Sequence, residues 1–165
     1  MLAGLVLAGH LVSPNRGLFV FSPILLLALV GMIVQVRRRT IDALDIAVLV
    51  VLGAYFVAIS LAGQWWAGHS FGPRFTTDVL PLLAYFAMPA VLAIVESLPR
   101  ARVANLAIVA LLAAWSLFAH FRAATTWDVW AWNGTPVSID ERPERAWDWS
   151  DLQILRRIGS ERSEP

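Results

Sequence analysis

The chain has 165 residues, of which 58% are hydrophobic and only 15% are charged, a far more apolar balance than soluble domains have. The formal net charge of +1 predicts no nucleic-acid partner, and the absence of cysteine excludes disulfide bonds and thiolate metal sites. The histidines at positions 10, 69 and 120 lack metal-ligand spacing. We therefore predict an all-α membrane protein with neither a metal site nor a cofactor.

Hydrophobic runs long enough to cross a bilayer predict about four transmembrane helices, in a membrane domain over residues 1–123. The amino-terminal run, before Ser13, has about a dozen residues and is too short to span, so we expect a short apolar helix there. It has no basic segment of the kind that begins a signal peptide. We expect it to be the end of a longer helix, and the chain to be the carboxy-terminal part of a larger protein. The predicted spans cover residues 18–36, 43–63, 79–98 and 103–121.

Local signals refine these spans. Pro23 removes a helical hydrogen bond, which predicts a kink or a late helix start near Ser22. Asp42 and Asp45 suit the capped first turn of the second span, and Asp78 is the expected N-cap of the third. The fourth span carries Ala107, Ala110 and Ala114 at helical spacing, which predicts a small-residue face that packs on another membrane helix or subunit.

Arginine-rich loops predict the orientation. Residues 37–39 are all arginine, and Arg100 and Arg102 lie in the loop after the third span. Such loops stay on the cytoplasmic side, which places residues 124–165 outside as an extracytoplasmic tail. All 13 basic residues are arginine, a composition typical of a GC-rich bacterial genome, so we expect the bacterial plasma membrane.

Tryptophans and one helix signal mark the tail. Trp127, Trp130 and Trp132 follow the fourth span and indicate an aromatic belt at the membrane surface. Ser150 and Gln153 have capping-box spacing. They predict a short amphipathic helix near residues 151–158.

The loop between the second and third spans, residues 64–78, holds most of the plausible chemistry. Trp65 and Trp66 suit a membrane–water boundary. His69, Arg74 and Asp78 follow at a corner near the depth of a lipid headgroup. An ordinary interfacial turn, in which tryptophans anchor and Arg74 snorkels to lipid phosphate, explains the same pattern.

Three stretches of the chain resemble those of a known family in their order and spacing. They are Ser-Pro-Asn-Arg-Gly-Leu-Phe-Val-Phe-Ser-Pro at 13–23, Trp-Trp-Ala-Gly-His-Ser-Phe-Gly-Pro-Arg-Phe at 65–75, and Trp-Asp-Trp-Ser-Asp at 147–151. Together they resemble the carboxy-terminal half of bacterial GT-C glycosyltransferases related to the protein mannosyltransferases. The resemblance implies many spans and transfer of a sugar from a polyprenyl-phosphate donor on the outer face of the membrane. In that family the catalytic acid lies in an amino-terminal module, and we expect these 165 residues to lie after that module.

Within this interpretation Arg74, Arg16 and Trp66 are the candidate substrate-binding residues. A guanidinium suits a phosphate because it can donate two parallel hydrogen bonds. Asp78 and His69 are weak catalytic candidates, the first better explained as a cap and the second as a polar loop residue. The expected partners are membrane lipid and a polyprenyl-phosphate sugar donor. The alternative is a non-catalytic membrane subunit that binds other membrane helices.

Overall fold

The computed structural model describes residues 3–156, and within that range all regular secondary structure is helical. Seven α-helices and four 3-10 turns follow one another along this part of the chain. The helices are α1 (Ala3–Val12), α2 (Leu18–Phe21), α3 (Leu26–Arg38), α4 (Ala43–Ser60), α5 (Leu80–Glu96), α6 (Pro99–Thr125) and α7 (Asp128–Ala131). The 3-10 turns are Pro23–Leu25, Arg74–Val79, Pro143–Trp147 and Gln153–Leu155. The predicted all-α membrane fold is confirmed.

Three segments among the described residues are long and apolar enough to cross a membrane: α4, α5 together with the 3-10 turn before it, and α6. They correspond to the second, third and fourth predicted spans. The first predicted span is divided at Ser22, as Pro23 predicted, into α2, a 3-10 turn and α3. With 13 residues at about 1.5 Å each, α3 alone is shorter than a bilayer's hydrocarbon core.

Helices α3 and α5 form the closest pair in the bundle. Gly31 of α3 lies against the backbone of α5, where a Cβ atom would come within 1.8 Å of the Phe86 carbonyl oxygen. Ala28 on α3 and Ala90 on α5 are completely buried. Small residues let two helix backbones approach in this way, which maximises van der Waals contact where lipid provides no hydrophobic force between helices.

A buried carboxylate joins α4 to this pair. Asp42 caps α4 in a reciprocal capping box with Asp45, as predicted, with both hydrogen bonds at 2.9 Å. Asp45 Oδ1 also accepts hydrogen bonds from Gln35 Nε2 of α3 at 2.9 Å and from the Tyr85 hydroxyl of α5 at 2.7 Å. One side chain that is only 2% exposed therefore connects three helices at what we call the arginine end of the bundle.

Hydrogen bonds at Trp115 and Ser116 hold the carboxy-terminal half of α6. Trp115 Nε1 donates to the Val20 carbonyl at 2.7 Å, and the backbone N–H of Ile24 donates to Ser116 Oγ at 3.3 Å. Closer to the arginine end, an apolar groove of about 330 Å³ separates α6 from α3 and α5. The predicted small-residue face at Ala107, Ala110 and Ala114 is exposed.

Residues 13–17, 61–73 and 126–156 fold together at the other end of the bundle, and we call this layer the cap. Its hydrophobic core contains Val6 of α1 and five residues of the cap itself: Trp65, Trp66, Trp132, Ile139 and Ala146. The tail is thus packed on the membrane helices and on the loop between α4 and α5.

The predicted helix near residues 151–158 is wrong over its described part. Only a 3-10 turn, Gln153–Leu155, is present there, and the chain is already non-helical at Arg156. The capping box does not form because Ser150 Oγ donates to Asp148 Oδ1 at 2.6 Å, while Gln153 is completely buried. Positions 157–158 of that prediction lie outside the described residues.

The α3–α5 contact can be tested with two glycine substitutions. We expect Gly31→Ala to lower the free energy of unfolding by about 1 to 3 kcal/mol through overpacking against Phe86. Gly53→Ala in α4 is the matched control, because its Cβ would meet nothing within 4 Å. Both gain the same helix propensity. Thermal unfolding followed by circular dichroism in detergent provides the measurement, and equal midpoints for the two variants would contradict the close contact.

Candidate functional site

Arg16 lies at the centre of the cap and is only 1% exposed. A guanidinium has five N–H donors, and all five are accepted inside the protein. The acceptors are the carbonyls of Asn15, Trp66 and Gly68 at 2.7, 2.6 and 3.2 Å, and the side-chain oxygens of Gln153 and Asn133, both at 2.8 Å. No donor of Arg16 is left for a phosphate, so its geometry does not support the predicted substrate contact and indicates a structural role.

The loop conformation next to Arg16 explains two of these bonds. Ala67 and Gly68 both have φ of 61°, the left-handed region that is costly for a residue with a side chain. This turn lets the carbonyls of Trp66 and Gly68, on either side of Ala67, both face the guanidinium. Burial lowers the pKa of Arg16 to about 9, and the nearby positive Arg145 acts in the same direction. The group therefore remains cationic at neutral pH.

Gln153 and Asn15 complete this network, and sequence reasoning missed both. Gln153 Oε1 accepts from Arg16 and from the Gly72 backbone at 3.2 Å, while its Nε2 donates to the carbonyls of Ser70 and Val129 at 3.1 and 2.9 Å. Asn15 Oδ1 accepts the Gln153 backbone N–H at 2.7 Å. Its Nδ2 donates to the carbonyls of Arg145, Asp148 and Asp151. The sequence signal available for this network was the polar pair Asn15-Arg16, which stands between Pro14 and Gly17.

The tryptophans predicted at the membrane boundary divide into two groups. Trp65, Trp66 and Trp132 are at most 9% exposed and form the core of the cap, so the expectation that their rings contact lipid is wrong. Trp66 Nε1 donates to Asp140 Oδ1 at 2.7 Å, and no ligand-facing role is visible for it. Trp127 and Trp130 are 79% and 39% exposed, as an aromatic belt requires.

His69 lies on the cap surface beside Ser138 and Asp140. Its Nε2 is 3.1 Å from Ser138 Oγ and 3.6 Å from Asp140 Oδ2. A catalytic triad needs the acid on one ring nitrogen and the hydroxyl on the other, whereas here both partners face the same nitrogen. The cluster is therefore not a triad. Nor do residues 3–156 gather three His, Asp or Glu side chains that could hold a metal ion.

Asp78 is not the N-cap of α5. It lies inside the 3-10 turn Arg74–Val79, and α5 begins after Val79 without a side-chain cap. Its carboxylate accepts a hydrogen bond from the Tyr55 hydroxyl of α4 at 3.0 Å. This contact links α4 to the start of α5, which is a structural function.

Arg74 is the one predicted site residue that the structure leaves available. Its side chain is exposed and has no hydrogen bond or ion pair to any described residue. It lines a cavity of about 340 Å³ at the cap end of the bundle, which we call the Arg74 pocket. The other lining residues are Leu18, Ser22, Phe71, Pro73, Thr76, Thr77, Leu80 and His120.

The backbone before Arg74 is held rigidly. Gly72 has φ of 60°, and a Cβ there would come within 2.7 Å of the Phe21 ring. The Phe21 and Phe71 rings meet edge to face at 5.1 Å, and the Arg74 N–H donates to the Gly72 carbonyl at 3.0 Å. Only glycine fits this combination of conformation and close approach, so the guanidinium projects from a fixed turn.

His120 adds an unpredicted polar group to the pocket. Its Nε2 and Ser22 Oγ form a hydrogen-bonded pair 2.8 Å apart, which joins α6 to the break between α2 and α3. The pocket thus combines a permanent cation, an imidazole and hydroxyl groups with apolar walls. Such a lining suits the anionic headgroup of an amphiphile.

A conservative substitution tests the structural role of Arg16. We expect Arg16→Lys to destabilise the cap by about 3 kcal/mol, because lysine cannot satisfy five separated acceptors and leaves buried groups unpaired. Arg142→Lys, at an exposed cap position, is the control. Limited proteolysis of the cap follows the population of its open form. Equal cleavage rates for wild type and both variants would contradict a structural Arg16.

Comparison with known proteins adds no relative. No protein-family model matches the chain, and neither does any curated protein or solved structure. Function therefore has to be inferred from the geometry of the Arg74 pocket and from the membrane fold.

Proposed function

We propose that this chain is the carboxy-terminal membrane portion of a glycosyltransferase that uses a polyprenyl-phosphate sugar donor, and that Arg74 binds the donor's phosphate. The observation that carries the proposal is the exposed guanidinium of Arg74 at the cap-end pocket, which has no partner among residues 3–156. A phosphate oxygen can accept two of its donors in the planar arrangement that arginine provides.

The depth of the pocket supports a lipid-borne phosphate. Arg74 begins the segment Arg74–Glu96, which is apolar and long enough to cross a membrane. Its guanidinium therefore lies at the end of a span, where lipid headgroups meet the hydrocarbon. Leu18, Leu80 and Phe71 provide apolar walls beside it, as an amphiphile requires.

Among the residues that the structure describes, no aspartate or glutamate lines the pocket. Asp78, the nearest candidate in sequence, is engaged by Tyr55, and His69 lies in a separate cluster on the cap surface. We therefore assign binding of the donor to this chain and the catalytic carboxylate to a separate amino-terminal module. The resemblance of residues 13–23, 65–75 and 147–151 to GT-C enzymes motivates this division.

A non-catalytic membrane subunit is the second candidate. The exposed alanine face of α6, at Ala107, Ala110 and Ala114, favours it, because such faces allow close approach of another helix. Under this alternative the Arg74 pocket binds ordinary phospholipid. The two candidate functions therefore differ in whether the Arg74 pocket discriminates between a polyprenyl phosphate and a diacyl phospholipid.

The proposal places the cap on the extracytoplasmic face of a bacterial plasma membrane. Arg37–Arg39 and Arg100 lie at the opposite end of the bundle, at the helix ends beside the short connections between spans, and arginines in such positions remain cytoplasmic. The chain has no cysteine of its own, so single cysteines can report on each side.

Cysteine labelling tests this orientation. Gln64→Cys and Glu141→Cys, at exposed cap positions, should react with an impermeant maleimide in intact cells, and Thr40→Cys at the arginine end should not. Permeabilised cells provide the control, because all three should react there. Labelling of Thr40→Cys alone in intact cells would reverse the orientation.

The phosphate contact is tested by substitution at Arg74. We expect Arg74→Lys to bind undecaprenyl phosphate about tenfold more weakly, or 1.4 kcal/mol, because an ammonium keeps the charge but loses the planar fork. Arg74→Ala should bind more weakly still. Arg102→Ala, at the arginine end, should bind as the wild type does.

Titration in matched detergent provides the measurement, with undecaprenol as the ligand that lacks the phosphate and phosphatidylglycerol as the diacyl competitor. All Arg74 variants should bind undecaprenol equally. Equal binding of undecaprenyl phosphate by wild type, lysine and alanine variants would remove Arg74 from the site. Equal affinity for phosphatidylglycerol would favour the subunit alternative.

A further inference from the structure

The Arg74 pocket has a second polar wall, formed by His120 of α6 and Ser22 at the break between α2 and α3. His120 Nε2 lies 2.8 Å from Ser22 Oγ. The histidine is exposed, and its other ring nitrogen, Nδ1, has no hydrogen-bond partner among residues 3–156. One nitrogen of the ring is therefore fixed, and the other is available to a ligand.

The side chains of this pocket are suited to a ligand that accepts hydrogen bonds. Arg74 can only donate, and Thr76 Oγ1 already donates to the Pro73 carbonyl at 3.0 Å. Since the described lining contains no carboxylate, the negative charge that balances Arg74 has to come from the ligand. A phosphate brings both the charge and the acceptors.

Protonation of His120 adds a second cation and a second donor to the pocket. In an imidazolium both ring nitrogens donate, so Nε2 donates to Ser22 Oγ while Nδ1 can donate to a phosphate oxygen. The Ser22 hydroxyl hydrogen is then free to donate as well. Histidine is the side chain that changes charge most readily near neutral pH, so a bound anion of high charge can hold a proton there.

The other charged groups on the elements that pack around His120 do not line the pocket. Of the residues that the structure describes, Arg74 is the only charged one in the lining. Asp78 accepts a hydrogen bond from α4, and Arg122 donates to backbone carbonyls of the tail. The remaining charged residues on these elements, also outside the lining, are Asp128 and Arg156.

We propose that His120 is a second phosphate ligand, and that the pocket takes up a proton when a lipid phosphomonoester binds as its dianion. This inference rests on the proposed function and adds the charge of the phosphate that is bound best. Arg74 alone balances the single charge of a phosphodiester, whereas Arg74 and a protonated His120 balance the two charges of a monoester. The pocket therefore prefers the lipid monophosphate, which is the form of the carrier that has lost its sugar.

Proton uptake on binding tests this inference. Undecaprenyl phosphate is titrated into the 165-residue protein in detergent at pH 8, in two buffers that differ in ionisation enthalpy, and the difference in heat gives the number of protons exchanged. A phosphomonoester is already dianionic at pH 8, because its second pKa is about 6, so the proton goes to the protein. We expect the wild type to take up roughly half a proton or more, and His120→Gln to take up none.

The preference for a monoester provides a second measurement. The methyl ester of undecaprenyl phosphate keeps the chain but carries one negative charge. We expect the wild type to bind the monoester about tenfold more tightly than this diester. His120→Gln should lose that preference and bind the diester as the wild type does, while Arg74→Ala should weaken binding of both lipids. His69→Gln, in the separate cluster on the cap surface, is the matched control and should behave as the wild type.

Ser22→Ala separates a ligand from a structural contact. It removes the hydrogen bond between α2 and α6 but keeps the imidazole, so proton uptake should remain. Equal loss of uptake in Ser22→Ala and His120→Gln would assign the effect to the junction of these helices and overturn the ligand role of His120.

The remaining outcomes distinguish this inference from the proposed function. No proton uptake by the wild type, or an uptake and a monoester preference that His120→Gln leaves unchanged, would overturn the role of His120 while the phosphate contact of Arg74 stands. Binding of both lipids that Arg74→Ala leaves unchanged would instead overturn the proposed function.

Discussion

The buried guanidinium of Arg16 is the constraint on which the cap depends. A charge in a protein interior is strongly unfavourable unless every donor finds an acceptor. Here the acceptors come from the loop beside Arg16, from the loop between α4 and α5, and from the tail at Asn133 and Gln153. These segments must be in place together, so the cap forms as one unit. The turn that presents Arg74 is part of that unit, since Gln153 also binds the Gly72 backbone.

Aromatic packing reinforces the same arrangement. The guanidinium carbons of Arg16 and Arg145 lie 5.4 and 4.3 Å from the centre of the Trp132 ring, within the range of cation–π attraction. Arg145 in turn forms an ion pair with Asp151 at 3.0 Å, largely shielded from solvent. Two cations therefore share one buried ring. Polar and aromatic contacts together hold the loops of the cap in place. In the rest of the chain, helices have this role.

Sequence reasoning succeeded where a local rule decides the structure. Hydrophobic length located α4, α5 and α6, the ring of Pro23 divided the first run, and Asp42 capped α4. It failed where partners lie far apart along the chain. Arg16 bonds to a residue 137 positions away, and no local pattern marks Gln153 as its acceptor rather than as part of a capping box. Trp65 and Trp66 satisfied the rule for interfacial residues, but the tail folds over them and buries their rings in the core of the cap.

The residues of the Arg74 pocket show the same difference between local signals and long-range contacts. Arg74 was identified from its neighbours, since Gly72 and Pro73 exclude a regular helix and leave a charged side chain at a corner. His120 was missed because it becomes relevant only when the end of α6 meets Ser22, which is 98 positions away.

The carboxylate of Asp45 has a mechanical consequence for this bundle. Its two side-chain donors come from two different helices, so a shift of α4 by one turn, about 5.4 Å, would leave a buried anion without them. Helices α3, α4 and α5 are thereby fixed in register. Helix α6 lies outside this network, and its hydrogen bonds at Trp115 and Ser116 join it to Val20 and Ile24, in the segment that precedes α3. Asp45 thus fixes two walls of the groove, α3 and α5, while the contacts at Val20 and Ile24 fix the third, α6.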